Sequence, residues 1–195
     1  MAAERAEFES EVRALVLRVL AGVLDEPSPS GEARVSAPAD DGAERIAIGA
    51  DHGGFNLKQD LVAKLVDAGY AVDDVGTDST DACDYPDFAH AVARQVARGH
   101  ATWGVMIDGA GIGSAMVANK VPGVRAAACY DLSTARNSRE HNRANDLTLG
   151  AGLTGPGLAW QIVQEWLATP WGGDRHLRRV ALINEIEELY AWADR

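Results

Sequence analysis

Residues 103–120 read Trp103-Gly-Val-Met-Ile-Asp108-Gly109-Ala110-Gly111-Ile112-Gly113-Ser114-Ala-Met-Val-Ala-Asn-Lys120. A short apolar run ends in an aspartate. Glycines at alternate positions follow, and then a helical pattern. A run of this length is a buried strand, and the glycines let the backbone fold into a nest of N–H groups where the next helix begins. Strand, tight turn and helix in that order form half of a βαβ unit.

The same alternation extends in both directions. Apolar runs at 45–49, 71–75, 103–107, 125–129 and 147–150 predict strands. Segments 54–68, 86–98, 112–120, 131–145 and 156–168 predict helices, with a last one over about 175–193. Alternating elements mean a parallel sheet covered on both faces, and five short strands suit an open sheet better than a barrel. The expected fold is therefore α/β: an open, doubly wound, parallel five-stranded sheet with helices on both faces, Rossmann-like. In such sheets ligands bind beyond the carboxyl ends of the strands.

The first quarter of the chain is different. Residues 1–44 hold ten acids and four bases, while 45–195 hold nineteen and fourteen. Phe8, Val12, Leu15, Val16, Val19, Leu20, Val23 and Leu24 form the apolar stripe of an amphipathic helix, stopped by Pro27 and Pro29. Residues 27–44, rich in Pro, Ser, Ala and acids, read as a flexible linker. The expected organisation is a helix over 1–26, a linker over 27–44 and one domain over 45–195.

Composition narrows the function. A net charge of −11 argues against nucleic acid and anionic membrane as partners. No apolar stretch is long enough to span a bilayer. The N-terminus is acidic where a secretory signal would be basic. Two cysteines, Cys83 and Cys129, make neither a disulfide framework nor a metal cluster and suggest a reducing, cytoplasmic setting.

The strand ends carry the chemistry. Asp51-His52-Gly-Gly follows the first strand and reads either as a ligand contact or as a helix cap and turn. Asp84 and Asp87 read as turn and capping residues, without metal-ligand spacing. Asp108 stands where a general base would be placed, beside a nest suited to an anion or a developing oxyanion, and its bland alternative is an N-cap. Gly150-Ala-Gly152-Leu-Thr-Gly155 matches a dinucleotide fingerprint. It follows the last strand and lacks the later acidic residue, so it reads as a tight turn. A nucleotide-binding protein is accordingly a distant alternative. His141, flanked by Arg139 and Asn142, is a candidate catalytic imidazole. Arg175 and Arg179, at i and i+4, can grip a phosphate.

Taken in order, Asp51-His52-Gly, Asp84-Tyr85-Pro86, Gly109–Gly113 with Ala118-Asn119-Lys120, Arg139-Glu-His141-Asn142 and Gly-Gly-x-Arg175-His176-x-x-Arg179 resemble the type B ribose-5-phosphate isomerases and their relatives, the two galactose-6-phosphate isomerase subunits. The resemblance covers about 45–187. It implies interconversion of an aldose phosphate and a ketose phosphate without metal or redox cofactor, in a homodimer or homotetramer whose sites lie where subunits meet. It implies that His141 opens the sugar ring and that Asp51, His52 and Asn142 hold hydroxyls. Gly109, Ala110, Gly111, Ile112, Gly113 and Ser114 would stabilise the enediolate, and Arg175 and Arg179 would bind the phosphate.

One departure matters. Many members carry a cysteine base at the position of Asp108, and another branch carries a glutamate at the position of Ser114. An aspartate there is similar to the galactose-6-phosphate isomerase subunit that lacks the cysteine. Either Asp108 is itself the base, the preferred reading, or the chain is a phosphosugar-binding subunit that needs a partner. Four-, five- and six-carbon substrates all stay open. The segment 1–26 resembles the encapsulation peptides that deliver enzymes into bacterial microcompartments, which implies a shell protein as partner.

Overall fold

The computed structural model describes residues 44–191. The helix expected over 1–26 and residues 27–43 of the linker lie outside them. Strands β1 (Arg45–Ala50), β2 (Ala71–Asp74), β3 (Trp103–Asp108), β4 (Ala126–Ala128) and β5 (Asp146–Gly150) form one parallel sheet in the order β2-β1-β3-β5-β4. Helices α1 (Phe55–Asp67), α2 (Tyr85–Ala97), α3 (Ile112–Ala118), α4 (Leu132–Asn142), α5 (Pro156–Ala168) and α6 (Asp174–Ala191) follow in sequence.

The layers follow from where the apolar side chains fall. Ile46, Ile48 and Ala50 of β1 point into a core filled by Leu57, Leu61 and Leu65 of α1, Ala135 of α4, and Ala159, Ile162, Val163 and Trp166 of α5. Ala47, between them, points to the opposite face, where Ala89 and Val92 of α2 and Met106 of β3 meet it. Each buried Leu or Ile contributes roughly 1.5–3 kcal/mol, so apolar positions every three or four residues are enough to fasten each helix to its face. The expected doubly wound sheet is the one observed.

The largest boundary difference from the sequence reading is at the end of α4. α4 stops at Asn142 because Arg143 takes a left-handed conformation (φ 51°), which closes the helix through Arg143 N to Arg139 O. It starts at a capping box, with Asp131 Oδ1 accepting from Thr134 N at 2.7 Å.

The order of strands places the crevice. β1 and β3 are neighbours, and the chain leaves them toward opposite edges of the sheet, so the topological switch point lies between their carboxyl ends. The helices run back along the strands, and their C-termini therefore lie at the other, amino edge. Arg139 of α4 stacks its guanidinium on Trp103, the first residue of β3, at 4.0 Å from the ring centroid. Gly172 N, after α5, donates to Glu140 O at 2.9 Å. Among the described residues no helix is long and apolar enough to cross a membrane.

Candidate active site

At the carboxyl edge, the end of β1 is tied to the end of β3. Asp51 N donates to Ile107 O at 3.2 Å, and Asp51 Oδ1 accepts from Gly54 N at 3.0 Å. A Cβ on Gly54 would lie 2.4 Å from Ile107 O, so this turn requires glycine. Asp51 thus caps this turn through Oδ1. The exposed His52 has Nδ1 3.2 Å from both Cys83 N and Cys83 O, and 3.8 Å from Cys83 Sγ. With Nδ1 anchored on this loop, Nε2 is the ring nitrogen left to meet a ligand.

The nest closes around Asp108. Its buried carboxylate accepts from Ala110 N at 2.7 Å and from Gly111 N through Oδ1, and from Ser114 N at 3.1 Å and Ser114 Oγ at 2.5 Å through Oδ2. Four donors fill the acceptor positions of an ionised carboxylate. Gly111 turns the chain at φ 78°, and its carbonyl is held by Thr148 Oγ1 at 2.7 Å. The fingerprint-like stretch 150–155 is the tight turn expected, with Thr154 N donating to Gly150 O at 2.9 Å. It also supports the nest, because Ala151 N donates to Asp108 O at 2.8 Å and Gly152 N to Gly109 O at 3.0 Å. The Tyr85 ring lies over Gly113, and a Cβ there would sit 2.7 Å from it.

At the amino edge a second group assembles. The His141 ring stacks on His176 with centroids 4.2 Å apart and planes at 16°. His141 Nδ1 is 2.8 Å from Asn137 Nδ2, while Nε2 is 3.7 Å from Glu140 Oε1. Asn142 Nδ2 lies 3.4 Å from Asn137 Oδ1. Arg175 Nε donates to His176 Nε2 at 2.7 Å, and Arg179 is exposed one turn further along α6. His176 is buried, and its pKa is lowered first by desolvation and then by His141, Arg175 and Arg179, with Glu140 opposing. Sequence reasoning left Asn137, Glu140 and His176 without a role. For Asn137 the signal was available: it stands at i−4 from His141 on the same helix.

Within one chain the candidate residues therefore form two groups. Asp51, His52, Asp108 and the nest share the carboxyl edge, while His141, Asn142, Arg175 and Arg179 share the amino edge. A strand of five or six residues separates the edges by roughly 17–20 Å. Among the described residues no hydrogen bond or ion pair joins the two groups. The direction of α4 carries its last turn, and His141 with it, away from this crevice. No group of three or more His, Cys, Asp or Glu among the described residues is placed to hold a metal ion.

The chain is similar to known proteins in sequence and fold. Residues 46–183 match the family described as Ribose/Galactose Isomerase. The chain is 43% identical over 145 residues to ribose-5-phosphate isomerase B of Escherichia coli strain K12, which covers 74% of this chain and 97% of that protein. The structure of ribose-5-phosphate isomerase B from Clostridium thermocellum superposes with a TM-score of 0.74 at 48% identity, covering 75% of this chain and 99% of that one. The type B enzyme from Trypanosoma cruzi gives 0.73 at 42% identity, covering 76% and 99%.

Proposed function

The chain belongs to the ribose/galactose isomerase family, and from that premise we propose that it interconverts ribose 5-phosphate and ribulose 5-phosphate through an enediolate. The observation that carries the reading is the nest itself. Backbone N–H groups of Ala110, Gly111 and Ser114 converge on the Asp108 carboxylate at the switch point of the sheet, the donor set that a developing oxyanion needs.

The two edges become one site when the amino edge of a second copy faces the carboxyl edge of the first, so the working unit is a homodimer or homotetramer. Arg175 and Arg179 of one copy hold the phosphate. His141 gives the ring oxygen its Nε2 proton as the ring C–O bond breaks, and takes the proton of the anomeric hydroxyl in return. His52, Asp51 and Asn142 orient hydroxyls. Asp108 of the other copy removes the proton from C2. The electron pair moves into the C1–C2 bond and onto the carbonyl oxygen, the proton of the C2 hydroxyl passes to that oxygen, and Asp108 returns its proton to C1 as the C2 carbonyl forms. As Asp108 takes the proton, its negative charge passes to the enediolate. The N–H groups it has engaged then become available to the new oxyanion, so the site moves one charge rather than creating one.

A second reading has its own observation. Both Asp108 oxygens are filled as a cap would be, so a nest that never releases this carboxylate binds a phosphosugar and relies on another chain for the base. The deciding experiment assays the purified chain alone on four-, five- and six-carbon aldose phosphates. Turnover of ribose 5-phosphate is expected. Binding without turnover selects the second reading, and neither binding nor turnover overturns both.

Residues 1–26 fit an address to a microcompartment shell within the cytoplasm. The family match covers residues 46–183 and leaves that segment out. Fused to a fluorescent protein, 1–26 should carry it into shells, and deleting 1–44 should leave turnover unchanged. Loss of activity on deletion defeats the idea.

A further inference from the structure

We propose that Asn137 is a positioning residue that fixes the proton of His141 on Nε2, with His176 beneath the ring holding His141 and Arg175 as one unit. The proposal rests on the reading of His141 as the ring-opening group.

The assignment follows from donors and acceptors. The Asn137 amide nitrogen can only donate, and it lies 2.8 Å from His141 Nδ1. Nδ1 therefore accepts, and the ring carries its single proton on Nε2. The amide orientation is supported at its other end, where Asn137 Oδ1 accepts from Asn142 Nδ2 at 3.4 Å. The nearest carboxylate oxygen, Glu140 Oε1, is 3.7 Å from Nε2, beyond hydrogen-bond range. The Nε2–H is left for a substrate oxygen.

The opposite face is set the same way. A guanidinium has no acceptor, so the 2.7 Å contact from Arg175 Nε requires His176 Nε2 to accept and His176 to be neutral. The stack at 4.2 Å and 16° then brings the two imidazoles face to face. The charged groups around His141 are Glu140 on its own helix, and Arg175 and Arg179 of α6 beyond His176. Doubly protonating the stack would place two cations against two arginines. One set of contacts thus orders the ring that handles the sugar oxygen and the arginine that handles the phosphate. Asn142, which also leans on Asn137, is ordered with them.

Asn137 is exposed, so its substitution spares the core. The test reads the His141 tautomer directly, by 15N NMR of the imidazoles in the full chain, with His141 assigned by the loss of its signals in His141→Asn. Wild type should show an Nε2–H ring. Asn137→Asp, nearly the same size but accepting only, should move the proton to Nδ1, and Asn137→Ala should give a mixture. On ribose 5-phosphate, Asn137→Asp should lower kcat on the order of tenfold to a hundredfold with KM changed less than about twofold, because geometry survives and the proton does not. His176→Asn, which can still accept from Arg175, should keep KM closer to wild type than His176→Leu. An Nε2–H ring that persists in Asn137→Asp overturns the proposal. A tautomer that moves while His141→Asn keeps full turnover leaves the positioning intact and removes the ring-opening reading instead.

Discussion

Asp108 shows how one residue can satisfy two readings of a sequence at once. Its carboxylate caps the first turn of α3 from before the helix, and it is also the only side-chain carboxylate inside the nest among the described residues. Asp108→Asn separates the roles. The amide would turn its NH2 toward the Ser114 donors and leave a buried N–H without an acceptor, which costs about 1–3 kcal/mol. Loss of the base should lower kcat on the order of a thousandfold or more with a smaller change in KM. Thermal unfolding and steady-state kinetics on one preparation check both, and a stability loss with turnover kept above about a tenth means the carboxylate is a cap alone. Asp146 makes the opposite case, since nothing in the sequence marked it. It opens β5 as a polar residue before an apolar run, yet it is completely buried beside Gly104 of β3, where a Cβ would lie 2.8 Å from its carboxyl carbon, and neither carboxylate oxygen is partnered. Burial pushes its pKa up to about 7. Between about pH 4 and this value the unfolded chain has released the proton and the folded chain has kept it, so stability falls as pH rises through that window. A shift of that size corresponds to a few kcal/mol, on the order of 4. Asp146→Asn should flatten the slope and gain stability relative to wild type at pH 8, measured by denaturant unfolding across pH. An unchanged slope would mean the carboxyl finds a partner after all.

At the scale of an element, the nest was legible as three alternate glycines, but the reasons for the three differ. Gly111 needs its left-handed φ of 78°, and a Cβ there would lie 3.0 Å from the Leu149 carbonyl carbon. Gly113 needs room for the Tyr85 ring, and Gly109 has nothing within 4 Å. Replacing each by Ala should therefore rank them. Gly109→Ala should be mild. Gly111→Ala should cost roughly 1–2 kcal/mol from backbone strain alone, before any crowding. Gly113→Ala should spare stability, because the half-exposed Tyr85 can swing outward, but it should impair turnover by opening the nest. Equal effects at all three positions would refute the distinct roles. Spacing could mark the motif because glycine is rare enough to signal a backbone need. It could not say which neighbour imposes that need, since Tyr85 and Leu149 arrive from elsewhere in the chain. Helix ends show the same limit: the apolar pattern carried α4 onward to 145, while a single left-handed residue, Arg143, ended it at Asn142.

Across the whole molecule, alternation of strands and helices was enough to read the sheet, because parallel strands oblige each helix to return. The same rule sends His141, Asn142 and Arg175 to the amino edge, but motifs read in linear order do not display direction, so the resemblance, and not the spacing, pointed to a site where subunits meet. The exposed side chains of α6, among them Leu182, Ile183, Ile186 and Leu189, form an apolar strip suited to burial against another chain. Together these features favour a site shared by two copies, and a mixing experiment decides it. Asp108→Asn damages only the carboxyl edge of its chain, and His141→Asn only the amino edge, so either variant alone should be nearly inactive. In a hybrid dimer one of the two shared sites carries both substitutions and the other carries neither. Random pairing makes half of the dimers hybrid, so co-refolding equal amounts should restore about a quarter of wild-type activity. Sites complete within one chain would be damaged in every copy, and the mixture would then stay as inactive as its parents.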